Sequence, residues 1–273
     1  MLTTPTSNRV SDVKGVTMQT GETAPSGDQE QPGWSHRPVN LASALAGELV
    51  GRIVRGIYAP GTALPPEPAL CESFSVSRTV VREAVKMLQE KGLVHVRQGS
   101  GTTVTPPAEW SMVDELVLGA TIAEADGLEV LDDLVVTRRL LESDMANVAA
   151  RLAHDDVLQR LGQIVDRMDE LVENPTAYAE QDRTFHDTIM RTSGNRIARA
   201  VVRALESQVV NTARYMGPYR RELCVASNRG HRTIYERLAA HDPAGASQAM
   251  FAHITEAWIV RRGGSGEPIR LSR

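Results

Sequence analysis

Apolar residues at Leu41, Leu45, Leu49, Ile53 and Ile57 recur every four positions, which predicts a helix that ends near Gly56 and Pro60-Gly61. A shorter helix fits Pro66 to Phe74, because prolines are tolerated in a first turn whose amides have no helical partner. Ser75, Val76 and Ser77 make a tight connection, with Ser77 placed to cap a third helix. That helix carries two rows: Val81, Ala84, Val85 and Leu88 form an apolar seam, and Arg78, Arg82 and Lys86 form a basic edge beside it. Gly92 closes the helix. The stretch LVHVRQGSGTTVT then alternates polar and apolar residues about Gln98-Gly99-Ser100-Gly101, the pattern of a two-stranded hairpin with a glycine-rich tip. Helix, short helix, tight turn, helix and hairpin is the order of a winged helix-turn-helix.

Past Pro106-Pro107 the period is helical throughout. Spans of 111–121, 127–153, 155–173, 176–192, 196–216, 219–240 and 243–262 are separated by Asn174-Pro175, Ser193-Gly194-Asn195, Gly217-Pro218 and Asp242-Pro243. The expected fold is mostly α: an N-terminal winged helix-turn-helix, then an all-α antiparallel bundle of six or seven helices. The expected organisation is a disordered arm at 1–38, rich in Thr, Ser, Gly, Pro and Gln, then a winged domain at 39–105 and a linker at 106–110. A helical domain follows at 111–262, with a flexible tail at 263–273.

Composition narrows the classes. The 273 residues suit two domains. The two cysteines, Cys71 and Cys224, support neither a disulfide framework nor a cysteine metal site, as expected in a reducing cytoplasm. No apolar run approaches the roughly 20 residues of a membrane span, so no membrane partner is expected. The net charge of −4 discourages a nucleic-acid role until it is divided along the chain. Residues 39–105 carry seven Lys+Arg against five Asp+Glu, whereas residues 106–273 carry 20 against 25. An acidic chain can still hold a locally basic reading head.

Within the winged order, the third helix occupies the position whose N-terminal half enters a major groove. Arg78 and Arg82 lie one turn apart there, and a guanidinium fork can grip guanine or phosphate with two hydrogen bonds. Thr79 adds a small donor beside the capping Ser77. Lys86 lies deeper and reads either as a phosphate contact or as a solvated charge. The tip at Gln98-Gly99 reads either as a groove-approaching wing or as a flexible turn.

The run Leu64-Pro65, Glu67, Leu70, Ser77-Arg78-Thr79, Arg82-Glu83-Ala84 and Gly92-Leu93, followed by the Gly-x-Gly-x-x-Val hairpin, resembles the DNA-binding domain of the GntR family of bacterial transcription regulators. The resemblance implies a homodimer on a double-stranded palindromic operator, with Arg78, Thr79 and Arg82 on bases and phosphates and Gln98-Gly99 in the minor groove. One position departs from the pattern: family members commonly carry an arginine after the glutamate of Leu-Pro-x-Glu, and here it is Pro68.

The helical region places polar residues on apolar rows. Arg138 falls amid Leu128, Leu131, Leu134, Val135, Leu141, Met145 and Val148, where a guanidinium needs an anion, and Glu142 one turn on is the nearest candidate. Asp182 and His186 share a face with Tyr178, Phe185 and Ile189; His231 shares one with Ile234 and Leu238; His253 lies with Met250, Ile254 and Ala257. Singly, each histidine reads as a hydrogen-bonded core residue. Together they form a candidate ligand set for a borderline divalent metal such as zinc. His36, His95, His154 and His241 lie outside any such row.

Glu109-Trp110, Val113-Asp114, Leu118, Arg138-x-x-Leu141-Glu142, Asp182-x-x-Phe185-His186 and Gly194-Asn195, with His231 and His253 beyond, resemble the FCD ligand-binding domain of the FadR subfamily of GntR regulators. The resemblance implies a divalent metal on Asp182, His186, His231 and His253, zinc foremost with nickel or manganese as alternatives. It further implies a small carboxylate effector, a hydroxy or sugar acid by preference, that meets the metal and Arg138 and modulates DNA binding. Two rivals stand beside this reading: a metal-dependent enzyme, for which no nucleophile motif or evident general base is found, and a constitutive DNA-binding protein with a structural metal.

Overall fold

The computed structural model describes residues 40–97, 99–124, 127–209 and 221–262. The expected arm, the tail, Gln98 and the connection after residue 209 lie outside them. The architecture is mostly helical, with one two-stranded sheet among the described residues.

The first three helices are α1 (Leu41–Val54), α2 (Glu67–Phe74) and α3 (Arg78–Glu90). Leu45, Leu49 and Ile53 of α1 pack with Leu70 of α2 and with Val81, Ala84 and Leu88 of α3. The ends of the four-residue row do not join them: Leu41 is 56% exposed and Ile57 60%. Ile57 lies beyond the end of α1 and so leaves its register. Ser75, at φ 52, turns the chain between α2 and α3, and the Ser77 hydroxyl accepts from the Val80 amide to cap α3.

Strands β1 (Val94–Arg97) and β2 (Gly101–Val104) pair antiparallel, with Val94 opposite Val104 and Arg97 opposite Gly101. Periodicity did not reveal a third extended segment. The Leu64 amide donates to the Thr102 carbonyl at 2.8 Å and the Val104 amide to the Thr62 carbonyl at 2.9 Å, so residues 62–64 flank β2. The segment is too short to show an alternation of its own.

After a 3-10 turn at Pro107–Glu109 the described residues form seven helices: α4 (Glu115–Ala123), α5 (Gly127–Leu152), α6 (Asp155–Glu170), α7 (Pro175–Thr192), α8 (Arg196–Val209), α9 (Arg221–Ala239) and α10 (Pro243–Arg262). The helix expected from residue 111 begins at Glu115, because the Asp114 carboxylate caps the Leu116 and Val117 amides and Ser111 is held in the preceding turn. The short connectors turn α7 back against α6 and α10 back against α9.

The main bundle core gathers Leu131 and Val135 of α5, Val165 and Met168 of α6, Phe185 and Ile189 of α7, Ile234 of α9 and Trp258 of α10. Truncating Phe185 or Trp258, both almost fully buried, should cost about 3–5 kcal/mol. Buried Asp132 pins α5 to α10 by accepting from the Trp258 indole at 2.7 Å and the Arg262 guanidinium at 3.2 Å.

Helix α4 belongs to both cores. Val117 packs in the cluster of the first three helices, whereas Leu118 and Ile122 pack in the bundle. The same junction is tied by Lys91 to Asp114, by the Trp110 indole to the Thr105 carbonyl, and by the Thr105 hydroxyl to the Gly92 carbonyl. Gly92 has φ +74, and a Cβ there would come within 2.2 Å of the Glu109 carbonyl oxygen.

Candidate metal centre and nucleic-acid interface

Helix α7 projects Asp182 and His186 from successive turns of its inner face, α9 contributes His231 and α10 contributes His253. One ligand atom from each lies within 4.8 Å of all the others. The three imidazoles stand in mutual contact, with ring centroids 5.4 Å apart for His186–His231 and His186–His253 and 4.2 Å for His231–His253. Thus the four residues that shared apolar rows in the sequence converge on one point.

The electrostatics suit a cation there. His231 is fully buried, and neither of its ring nitrogens has a hydrogen-bond partner. Its Nε2 lies 3.2 Å from an Asp182 oxygen, close enough to attract but not aligned as a hydrogen bond. An orphaned buried imidazole is costly, and ligation through one nitrogen removes that cost. Burial lowers the pKa of His231, and burial with the neighbouring His231 and His186 rings lowers that of His253 further. Both therefore favour the neutral form that binds metal. Burial alone would raise the Asp182 carboxyl, but the three imidazoles around it outweigh that and hold it well below the usual carboxylate range. His186 goes the other way: burial would lower its pKa, but the charge and hydrogen bond of Glu142 raise it, so metal binding there would displace a proton. Three imidazole nitrogens and one carboxylate are a donor set that zinc accepts.

A supporting chain of charges begins at His186. Its Nδ1 lies 2.7 Å from Glu142 Oε2, which leaves Nε2 as the nitrogen available to the centre. Glu142 also accepts from Arg138 Nε at 2.8 Å, and Arg138 Nη2 reaches Glu206 Oε1 on α8 at 2.7 Å. Burial would raise Glu142, but Arg138 and His186 hold its pKa below the ordinary value. Glu206 goes the other way: burial and the competing charge of Glu142 raise it despite Arg138. One guanidinium serves two carboxylates, and Glu142, with His186 on its other oxygen, is the firmer partner.

Sequence periodicity singled out the four converging residues and Arg138. It assigned Glu142 only as a partner for Arg138, and it gave no sign of Glu206. Gly230 was also missed, although a Cβ there would come within 2.5 Å of His253 Nδ1. The other described histidines lie elsewhere: His95 faces Glu109 on the hairpin surface, His154 sits at the N-cap of α6, and His241 Nδ1 contacts the Ala150 carbonyl.

On α3, the expected contact residues Arg78, Thr79, Arg82 and Lys86 all face solvent, opposite the seam of Val81, Ala84 and Leu88. Arg82 is not idle there. Its Nε lies 3.0 and 3.2 Å from the two oxygens of Glu67 on α2, a pairing that orients the side chain next to Pro68. Lys86 has only a loose 4.0 Å approach to Glu90. Gly99 at the hairpin tip is exposed with φ +79, a conformation that suits glycine.

Comparison with known proteins agrees with both halves. Residues 41–104 match the family of bacterial regulatory proteins called gntR, and residues 133–256 match the FCD domain. The uncharacterized HTH-type transcriptional regulator YieP of Escherichia coli is 38% identical over 158 residues, covering 57% of this chain and 69% of that protein. The chain belongs to the GntR family. This GntR protein is also 25% identical over 215 residues to the galactonate operon transcriptional repressor of Escherichia coli, covering 79% of this chain and 84% of the repressor. It is 28% identical over 219 residues to the HTH-type transcriptional regulator LutR of Bacillus subtilis, covering 77% and 96%. The solved structure of Lar from Listeria monocytogenes matches with a TM-score of 0.56 at 18% identity, covering 84% of this chain and 98% of that one, which supports the fold. The family and these relatives make the GntR protein a DNA-binding transcription regulator and not an enzyme.

Proposed function

We propose that the protein is a metabolite-responsive repressor that binds a palindromic operator as a homodimer in the cytoplasm. In this reading Ser77, Arg78, Thr79 and Arg82 of α3 read the major groove, Lys86 contacts phosphate, and the tip at Gln98-Gly99 approaches the minor groove. Asp182, His186, His231 and His253 would hold a divalent metal, zinc foremost with nickel or manganese as alternatives. When bound, that metal supplies a Lewis-acidic point for an oxygen of a small carboxylate effector. Arg138 supplies the complementary positive charge, and the effector's binding lowers operator affinity.

The observation that carries this reading is the convergence of four ligand atoms within 4.8 Å in a chain that also bears an exposed basic edge on its third helix. Sugar acids are the favoured effector class, because one relative is named as the repressor of the galactonate operon. No described helix is long and apolar enough to cross a membrane, which is compatible with a soluble regulator. A second reading, a purely structural metal, draws on one observation: Arg138 already holds two carboxylates.

The test uses the full-length protein. Metal content is measured before and after chelation, and melting temperature is measured in both states against a panel of hydroxy and sugar acids. The effector reading expects at least one acid to stabilise only the metal-loaded protein. Equal responses with and without metal, or none across the panel, would contradict it.

A further inference from the structure

Arg138 stands between two carboxylates of unequal attachment. Glu142 lies on the same helix, is fully buried, and is fixed on its other oxygen by His186 at 2.7 Å. Glu206 comes from α8, keeps 15% of its side chain exposed, and has Arg138 as its ion-pair partner among the described residues. An arginine fork beside a metal centre suits an incoming carboxylate, and here one face of that fork already carries a carboxylate of the protein's own.

The helix that delivers Glu206 is connected to the rest of the chain in a way that matters. Helix α8 buries Ala198, Val202 and Leu205, is tied to α7 by Arg199 and Asp187, and packs against α4. Helix α4 in turn places Val117 in the core of the first three helices and Leu118 and Ile122 in the bundle. A change at Arg138 that releases Glu206 therefore acts on the helix next to α4, the one element shared by both cores among the described residues.

We infer that Glu206 is a built-in occupant of the effector's carboxylate position, and that its ion pair with Arg138 holds α8 and α4 in the arrangement that binds operator. This rests on the effector reading proposed above and adds its switch: an effector carboxylate exchanges with Glu206, one anion for another, and frees α8. The coupling needs no net change of charge at Arg138. It predicts that removing the Glu206 charge alone reproduces part of the effector's action without any acid present.

The test compares wild type, Glu206→Gln, Arg138→Ala and the double variant, each full length and zinc-loaded. Binding is read by fluorescence anisotropy on a duplex selected from a random pool by the wild-type protein. Glu206→Gln should weaken binding by about fivefold or more, within the usual range of allosteric coupling, with zinc content and far-ultraviolet dichroism unchanged. In the Arg138→Ala background the same substitution should change affinity little, since the pair is already broken. Glu206→Asp, which keeps the charge, should recover part of the loss. Unchanged affinity in Glu206→Gln, or an equal loss in both backgrounds, overturns the inference. Zinc content of the wild type is recorded in the same samples: a wild type that retains no zinc defeats the metal-centre reading, whereas the Glu206 comparison is judged on affinity alone.

Discussion

Gly230 and His253 lie so close that any side chain on the first would strike the ring of the second: a Cβ at Gly230 would sit 2.5 Å from His253 Nδ1. Gly230 immediately precedes the candidate ligand His231 on α9. The close approach of α9 and α10 that brings His231 and His253 to a centroid distance of 4.2 Å therefore depends on a missing methyl group.

Gly230→Ala should consequently impair the centre more than the fold. Alanine favours the helix by up to about 1 kcal/mol, which offsets part of the clash, while His253 must move off its position. The expected result is a cooperative melt with metal content reduced by about tenfold or more, as for loss of a supporting residue. Full metal occupancy in a folded Gly230→Ala protein would show that His253 is not held there as a ligand.

Arg78→Ala should abolish specific operator binding and leave the melting temperature near wild type, because Arg78 is exposed and has no part in the seam of α3. A bidentate arginine contact is worth about 1–3 kcal/mol of base discrimination. Lys86→Ala should cost less and weaken all sequences alike, with a shallower salt dependence. Electrophoretic shifts on operator and random duplexes separate the two patterns; equal losses for both variants on both duplexes would contradict the assignment.

Asp187 and Arg199 join α7 to α8 through a two-point pair of 2.7 and 3.0 Å. Burial would raise the Asp187 carboxyl, but the hydrogen bonds and charge of Arg199 outweigh that and lower its pKa. A carboxyl lowered on folding stabilises the protein above its unfolded value, about 3.9, and that contribution disappears as pH falls through the lower folded value. Asp187→Asn should therefore cost about 1 kcal/mol at pH 7, the upper end for a partly exposed pair, and the gap to wild type should close in acid. Denaturant unfolding at about pH 7 and pH 3 checks the sign; a gap that widens in acid contradicts it.

What could be read from the sequence follows its periodicity. The α3 seam was legible because Val81, Ala84 and Leu88 pack on one side, leaving the arginines on the other. The convergence of the candidate ligand set was legible for a related reason: Asp182, His186, His231 and His253 each interrupt an apolar row, and a polar residue on such a row needs a partner across the core. Glu206 left no such trace, because its partner lies 68 positions away on another helix and neither spacing nor composition links them. Gly230 was equally silent, since a close approach between helices is a property of the packed pair. The start of α4 was misjudged because Ser111, Met112 and Val113 suit a helix by composition, whereas Asp114 forms a better cap than any residue before it.

The central claim is that the four-ligand centre governs operator binding through an acid effector. The most direct measurement is operator affinity of metal-loaded wild type and His231→Ala, titrated with the hydroxy and sugar acids that raise the wild-type melting temperature. The account predicts that such an acid weakens the wild type by about 5- to 150-fold, while His231→Ala binds less metal and responds little or not at all. A His231→Ala protein with normal metal content and a wild-type response to the acid would contradict it.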